Sequence, residues 1–102
     1  MPSVSGTLTI PAGSAESPVL DLPGSQDECL VGLIGPTNVN GVVLVHAAVT
    51  TTGPFGALLV NDSFVTANCA NAISFRSLFG AFKLVASSVQ DQDRIFQYVA
   101  KN

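Results

Sequence analysis

The stretch Val42-Val43-Leu44-Val45-His46-Ala47-Ala48-Val49 decides how the chain reads. Both of its faces are apolar apart from His46, which shares a face with Val42, Leu44 and Ala48. It falls far short of the roughly 20 apolar residues that a membrane-spanning helix needs. Asn40-Gly41, a dipeptide suited to a tight turn, precedes it, and Thr50–Pro54 follows it. It therefore reads as a central β-strand with both faces covered.

Working outward, the same grammar repeats. Cys29–Ile34 is an apolar run stopped by Gly35-Pro36, expected in a sheet interior with both faces covered. Val4–Ile10 alternates as a half-buried strand and ends at Pro11–Gly13. Pro18–Leu22 is a short strand closed by Pro23-Gly24, and Ser25–Glu28 is an acidic loop. Downstream come Phe55–Val60, a turn at Asn61-Asp62-Ser63, and a short strand around Phe64-Val65. Ala72–Phe75 and Phe82–Ala86 follow, then a polar loop at Ser87–Asp93 and a last strand at Ile95–Val99. Helix-like spacing occurs only in Ser74–Phe82, where Phe75, Leu78, Phe79 and Phe82 fall on one face and Gly80 interrupts. About eight short strands with turn signals at near-regular intervals predict one all-β domain over 1–102, a two-sheet antiparallel β-sandwich of jelly-roll-like form.

The composition narrows the function. Charged residues make up only 11% of the 102 residues, against roughly 25% in typical soluble domains. The mean hydropathy is +0.46. Spanning strands of about 9–11 residues with lipid-facing alternation cannot be assembled from this chain, so a membrane role is not expected. Interface cores, by contrast, are depleted in Lys, Glu and Asp, so the expectation is a subunit covered by partners, a homo-oligomer with a trimer favoured. The net charge of −3, with Arg76, Lys83, Arg94 and Lys101 as the cations, offers no basic stripe for nucleic acid. Met1–Ile10 has neither a cationic start nor an apolar core, and reads as no secretory signal. Cys29 and Cys69 are read as two reduced thiols.

No constellation for catalysis, metal or cofactor stands out, and no enzyme is expected. His46 is the single histidine, without a ligand partner at metal spacing, and is expected to be a structural or interface residue. Asp27-Glu28 and Asp91-x-Asp93 read as solvated loop carboxylates. Asn61-Asp62-Ser63 matches a glycosylation sequon, with no secretion signal to support it. Asp91-Gln92-Asp93-Arg94 admits two readings: a local pair of Arg94 with one of the acids, or an arginine presented to a partner. Loops and termini on a rigid scaffold are where contacts concentrate. Met1, Pro2, Ser3, Val4 and Ser5, as an extended N-terminal arm, and Asp91, Asp93 and Arg94 are thus the expected partner-binding residues.

Several segments carry a family resemblance. Leu8–Leu22 (LTIPAGSAESPVLDL) and Leu30–Pro36 (LVGLIGP) resemble the opening of small β-sandwich structural proteins of tailed bacteriophages. Ala81–Ser88 (AFKLVASS) resembles their late strand, and Asp93-Arg94 followed by Ile95–Val99 their closing strand. Where that family often carries a Trp, this chain reads Thr37–Gly41 and contains no Trp. The resemblance implies a capsid decoration or cement protein that binds the major capsid protein on the outer surface of the virion head, made in the host cytoplasm. A tail or neck accessory protein is the nearest alternative. A carbohydrate-binding sandwich module is a more distant one, because its aromatic platforms are scarce here: Tyr98 is the lone Tyr, and the six Phe mostly read as core.

Overall fold

A computed structural model describes residues 3–21, 29–36, 38–67 and 72–101. They contain ten strands and no helix: β1 (Ser3–Ile10), β2 (Leu20–Asp21), β3 (Cys29–Ile34), β4 (Val43–Ala48), β5 (Gly56–Ala57), β6 (Leu59–Val60), β7 (Ser63–Phe64), β8 (Ala72–Ser77), β9 (Ala81–Ala86) and β10 (Arg94–Lys101). Two four-stranded antiparallel sheets face each other, one in the order β1-β10-β3-β8 and the other β2-β9-β4-β5. From β1 to β4 and from β8 to β10 successive strands cross between sheets, while β4 and β5 are neighbours in one, which is the double Greek-key order of a jelly roll. β6 and β7 form a separate hairpin that interrupts the strand beside β4. The chain pairs with β4 at Leu58, leaves through the hairpin, and returns at Val65 and Ala67. The hairpin turn has Asn61 at φ 54° and Asp62 at φ 64°, the two positive values that a tight primed turn requires.

Alternation puts one side chain in two into the space between the sheets. Leu8, Ile10, Val31, Leu33, Phe75, Phe96 and Ala100 enter from one sheet, and Val43, Val45, Ala47, Phe82, Leu84 and Ala86 from the other. Phe75 and Phe82 meet across the core edge to face, with centroids 5.8 Å apart and planes at 64°.

The sandwich matches the fold expected from the sequence, and the departures have simple causes. Ser74–Phe82 is not helical. Phe75 and Phe82 are buried from opposite sheets, while Leu78 and Phe79 sit in the turn that crosses between them. Their helical spacing is the accident of two strands joined by a three-residue crossing. Ser3, Val4 and Ser5 are not a free arm. β10 runs on to Lys101 and supplies Ser3, Val4 and Ser5 with the partners Lys101, Ala100 and Val99. β3 lies inside its sheet, but only one of its faces is covered, and Leu30 and Ile34 are exposed on the other. β4 is the inner strand that its sequence predicts, though Val42 and Val49 fall outside it and are exposed. Met1, Pro2, Asp27, Glu28 and Cys69 lie outside the described residues.

Candidate functional site

The two ends of the sandwich are built from opposite chemistry. At one end the loops between β1 and β2, β3 and β4, and β9 and β10 converge on Gln90, a residue only 1% exposed. Its Oε1 accepts from the Asn40 backbone N–H at 2.8 Å and from Arg94 Nε at 3.2 Å. Its Nε2 donates to the carbonyl oxygens of Asn40 at 2.8 Å and Ser88 at 2.9 Å. Its own backbone ties in the first loop, accepting from Gly13 N–H and donating to Ser14 O. Arg94 Nη2 completes the knot by donating to Asn40 Oδ1 at 2.9 Å and Asp91 Oδ1 at 2.7 Å. Asp93 Oδ1 accepts from the Ala12 N–H at 2.8 Å. Gly41 turns the chain beside this knot at φ 77°, where a Cβ would stand 2.4 Å from Ser87 Oγ.

Of the two readings of Arg94, this geometry takes the local one. Its side chain is buried, with Nε bonded to Gln90 and Nη2 to Asn40 and Asp91, so these donors are engaged inside the molecule. Asp91 remains largely exposed while holding Arg94, and Asp93 closes the first loop. No buried side-chain nitrogen or oxygen among the described residues lacks a partner.

His46 lies on the outer face of the second sheet, directly opposite Lys83. Lys83 Nζ is 2.7 Å from Glu16 Oε1 and 4.7 Å above the centroid of the Phe55 ring. The hydrogen bond from Lys83, and then its charge, hold the Glu16 carboxyl below its ordinary value. Burial, and then the charge of Lys83, depress His46, with Glu16 opposing. Within the cluster the Lys83 charge is paired with Glu16, whose side chain stays 54% exposed. Among the described residues no group of three or more His, Cys, Asp or Glu is placed to hold a metal ion. Nor do the described residues contain a helix long and apolar enough to cross a membrane.

The other end is apolar and open. Val49 is 78% exposed and Leu78 is 81% exposed, and Phe79 and Leu59 line one groove with them. Two grooves flank this ridge and share Val49, Leu58, Leu59 and Phe79 as walls. Phe64, 59% exposed, is the direct cross-strand neighbour of Leu59 and extends the stripe along the hairpin. Arg76 lines one groove, and in register across the first sheet it stands in a row with Leu30 and Lys101. Neither Arg76 nor Lys101 makes an ion pair among the described residues. An apolar centre depleted in charge, with aromatic side chains and arginine, is the composition of an interface.

Sequence reasoning missed this end because Val49 and Leu78 flank strands, where an apolar residue reads as more core. Of the six Phe, Phe75, Phe82 and Phe96 are core, while Phe64 and Phe79 are exposed. The available signal was Leu78-Phe79-Gly80, two large apolar residues inside a turn. No family model matches the chain, and no curated protein matches it.

Proposed function

We propose that the protein is a structural virion component, a capsid decoration protein that attaches to the outer surface of a phage head by docking its apolar end on the major capsid protein. The observation that carries the reading is the open ridge of Val49, Leu59, Leu78 and Phe79 with Arg76 at its rim. Monomeric proteins rarely leave a contiguous apolar patch of this kind uncovered. Arg76 and Lys101, without an ion pair among the described residues, match a partner surface that is apolar with an acidic margin. Jelly rolls also serve in viral capsids, lectins and cupins, so the fold is compatible with the role without specifying it. The stabilising mechanism would be mass action: a ligand that binds only the assembled shell favours that shell by its binding free energy. Repetition over a symmetric lattice multiplies a modest contact.

Co-sedimentation with purified expanded heads of the encoding phage tests the reading, with purified tails and a glycan array beside it. Saturable binding to heads alone is expected. Binding to tails alone replaces it with the tail or neck role, and binding to glycans with the carbohydrate-binding role.

A further inference from the structure

The sandwich has four sheet edges, and three are blunted. β2 and β5 are two residues long, and the strand that begins with β5 is broken by the β6–β7 excursion. β8 carries the exposed Arg76. Short strands and charges are the devices by which edges avoid pairing with other chains. β1 has none of them. It is eight residues long, Ser3-Val4-Ser5-Gly6-Thr7-Leu8-Thr9-Ile10, without a charge or a proline. Its register against β10 is unbroken from Ser3↔Lys101 to Ile10↔Arg94, so no bulge twists it away. Its other side pairs with no strand among the described residues. Val4 lies on the core side of β1, in line with Leu8 and Ile10, yet is 36% exposed.

We propose that β1 pairs antiparallel with β1 of a second copy of this chain, about a two-fold axis at Gly6, joining two four-stranded sheets into one of eight. Self-complementarity identifies the occupant. A two-fold at Gly6 sets Val4 against Leu8 of the second copy on the core side, and Ser5 against Thr7 on the solvent side, with no charge to oppose. Hydroxyl pairs of this kind support cross-strand contact. Moving the axis by half a residue would oppose core-side to solvent-side positions, which the pleat forbids. Moving it to Thr7 would set Val4 against Ile10, which is already fully buried and has no surface left to cover. The contact is isologous and closes at two copies. It uses neither the apolar end nor any assumption about what that end binds; a trimer would need a different surface.

The test is the mass of the full chain in solution, by sedimentation velocity from low to high micromolar concentration, for three proteins. The wild type is expected to approach twice its 10.5 kDa. Ser5→Lys with Thr7→Lys places like charges opposite each other twice over and is expected to be monomeric. Both positions are exposed, so a cooperative melt should persist. Ser5→Lys with Thr7→Glu places opposite charges across the same axis and is expected to restore the dimer. Hydrogen exchange on the wild type gives a reading independent of any variant: amides of residues 3–9 should gain protection as concentration rises. A wild type that stays monomeric, a dimer indifferent to the two lysines, a Lys/Glu variant as monomeric as the Lys/Lys one, or exchange in β1 that ignores concentration would each overturn the proposal.

Discussion

The end of the sandwich that gathers around Gln90 and the end that exposes Leu78 divide the loops of one fold between two jobs. At the first, three loops are cross-linked by hydrogen bonds to Gln90, Arg94 and Asp93, and their polar side chains are consumed in holding the backbone. At the second, the loop after β4 and the turn between β8 and β9 hold large apolar side chains in solvent. The lesson concerns how loops are read. A polar loop in sequence suggests a surface ready for partners, yet polar side chains satisfy their own backbone readily, whereas exposed Leu and Val have nothing to gain without a partner.

The comparison breaks most visibly if the Gln90 knot can be removed cheaply. Gln90→Ala strands the Asn40 backbone and Arg94 Nε without partners in a buried site. It should cost about 3 kcal/mol in chemical denaturation, the sum of a few unmet buried groups. A loss under about 1 kcal/mol would mean that water replaces the knot and that this end is not structural. Arg94→Met should cost less, about 2 kcal/mol, because Gln90 keeps its bonds to Asn40 and Ser88.

A smaller effect tests the cluster around Lys83 on the second sheet. His46 is held below its ordinary value of 6.5, so the unfolded chain takes up a proton first as pH falls. Stability is therefore retained above that value and declines as pH falls below it, where thermal melts can follow it. Glu16, also depressed, acts in the same direction but begins lower, below 4.5. His46→Gln should flatten the upper window and leave the lower one. An upper decline that persists in the variant would assign it elsewhere.

The smallest expected effect sharpens the contrast. Leu78→Ser and Val49→Ser, at the two most exposed large apolar positions, should change stability by no more than about 0.5 kcal/mol. A large loss would show that the ridge packs internally in solution.

Much of the fold was legible in the sequence. The alternation of Val4–Ile10 and Ile95–Val99, and the turns at Asn40-Gly41 and Asn61-Asp62, locate strands that the structure contains. What local pattern could not supply was long-range pairing. Nothing within Ser3–Ser5 announces that β10 extends to Lys101 to meet it. Nothing beside Arg94 announces Asn40, 54 positions away. The same blindness hid the apolar end, since Val49 and Leu78 become neighbours of one groove only once the two sheets are stacked. Arg94 was assigned to a partner from an exposure that its bonds to Gln90, Asn40 and Asp91 remove, and Ser3–Ser5 as a free arm from a run that pairing with β10 fixes in the sheet.

The central claim is that attachment belongs to the apolar end and that the polar end is structural. Head co-sedimentation of Leu78→Asp beside Asp91→Ala tests it most directly. Both residues are exposed, so both variants should fold, and Arg94 keeps Asn40 when Asp91 is lost. Leu78→Asp is expected to stay in the supernatant while Asp91→Ala pellets with heads at wild-type occupancy. Full occupancy by Leu78→Asp together with loss of Asp91→Ala would contradict that claim and return the contact to the polar loops.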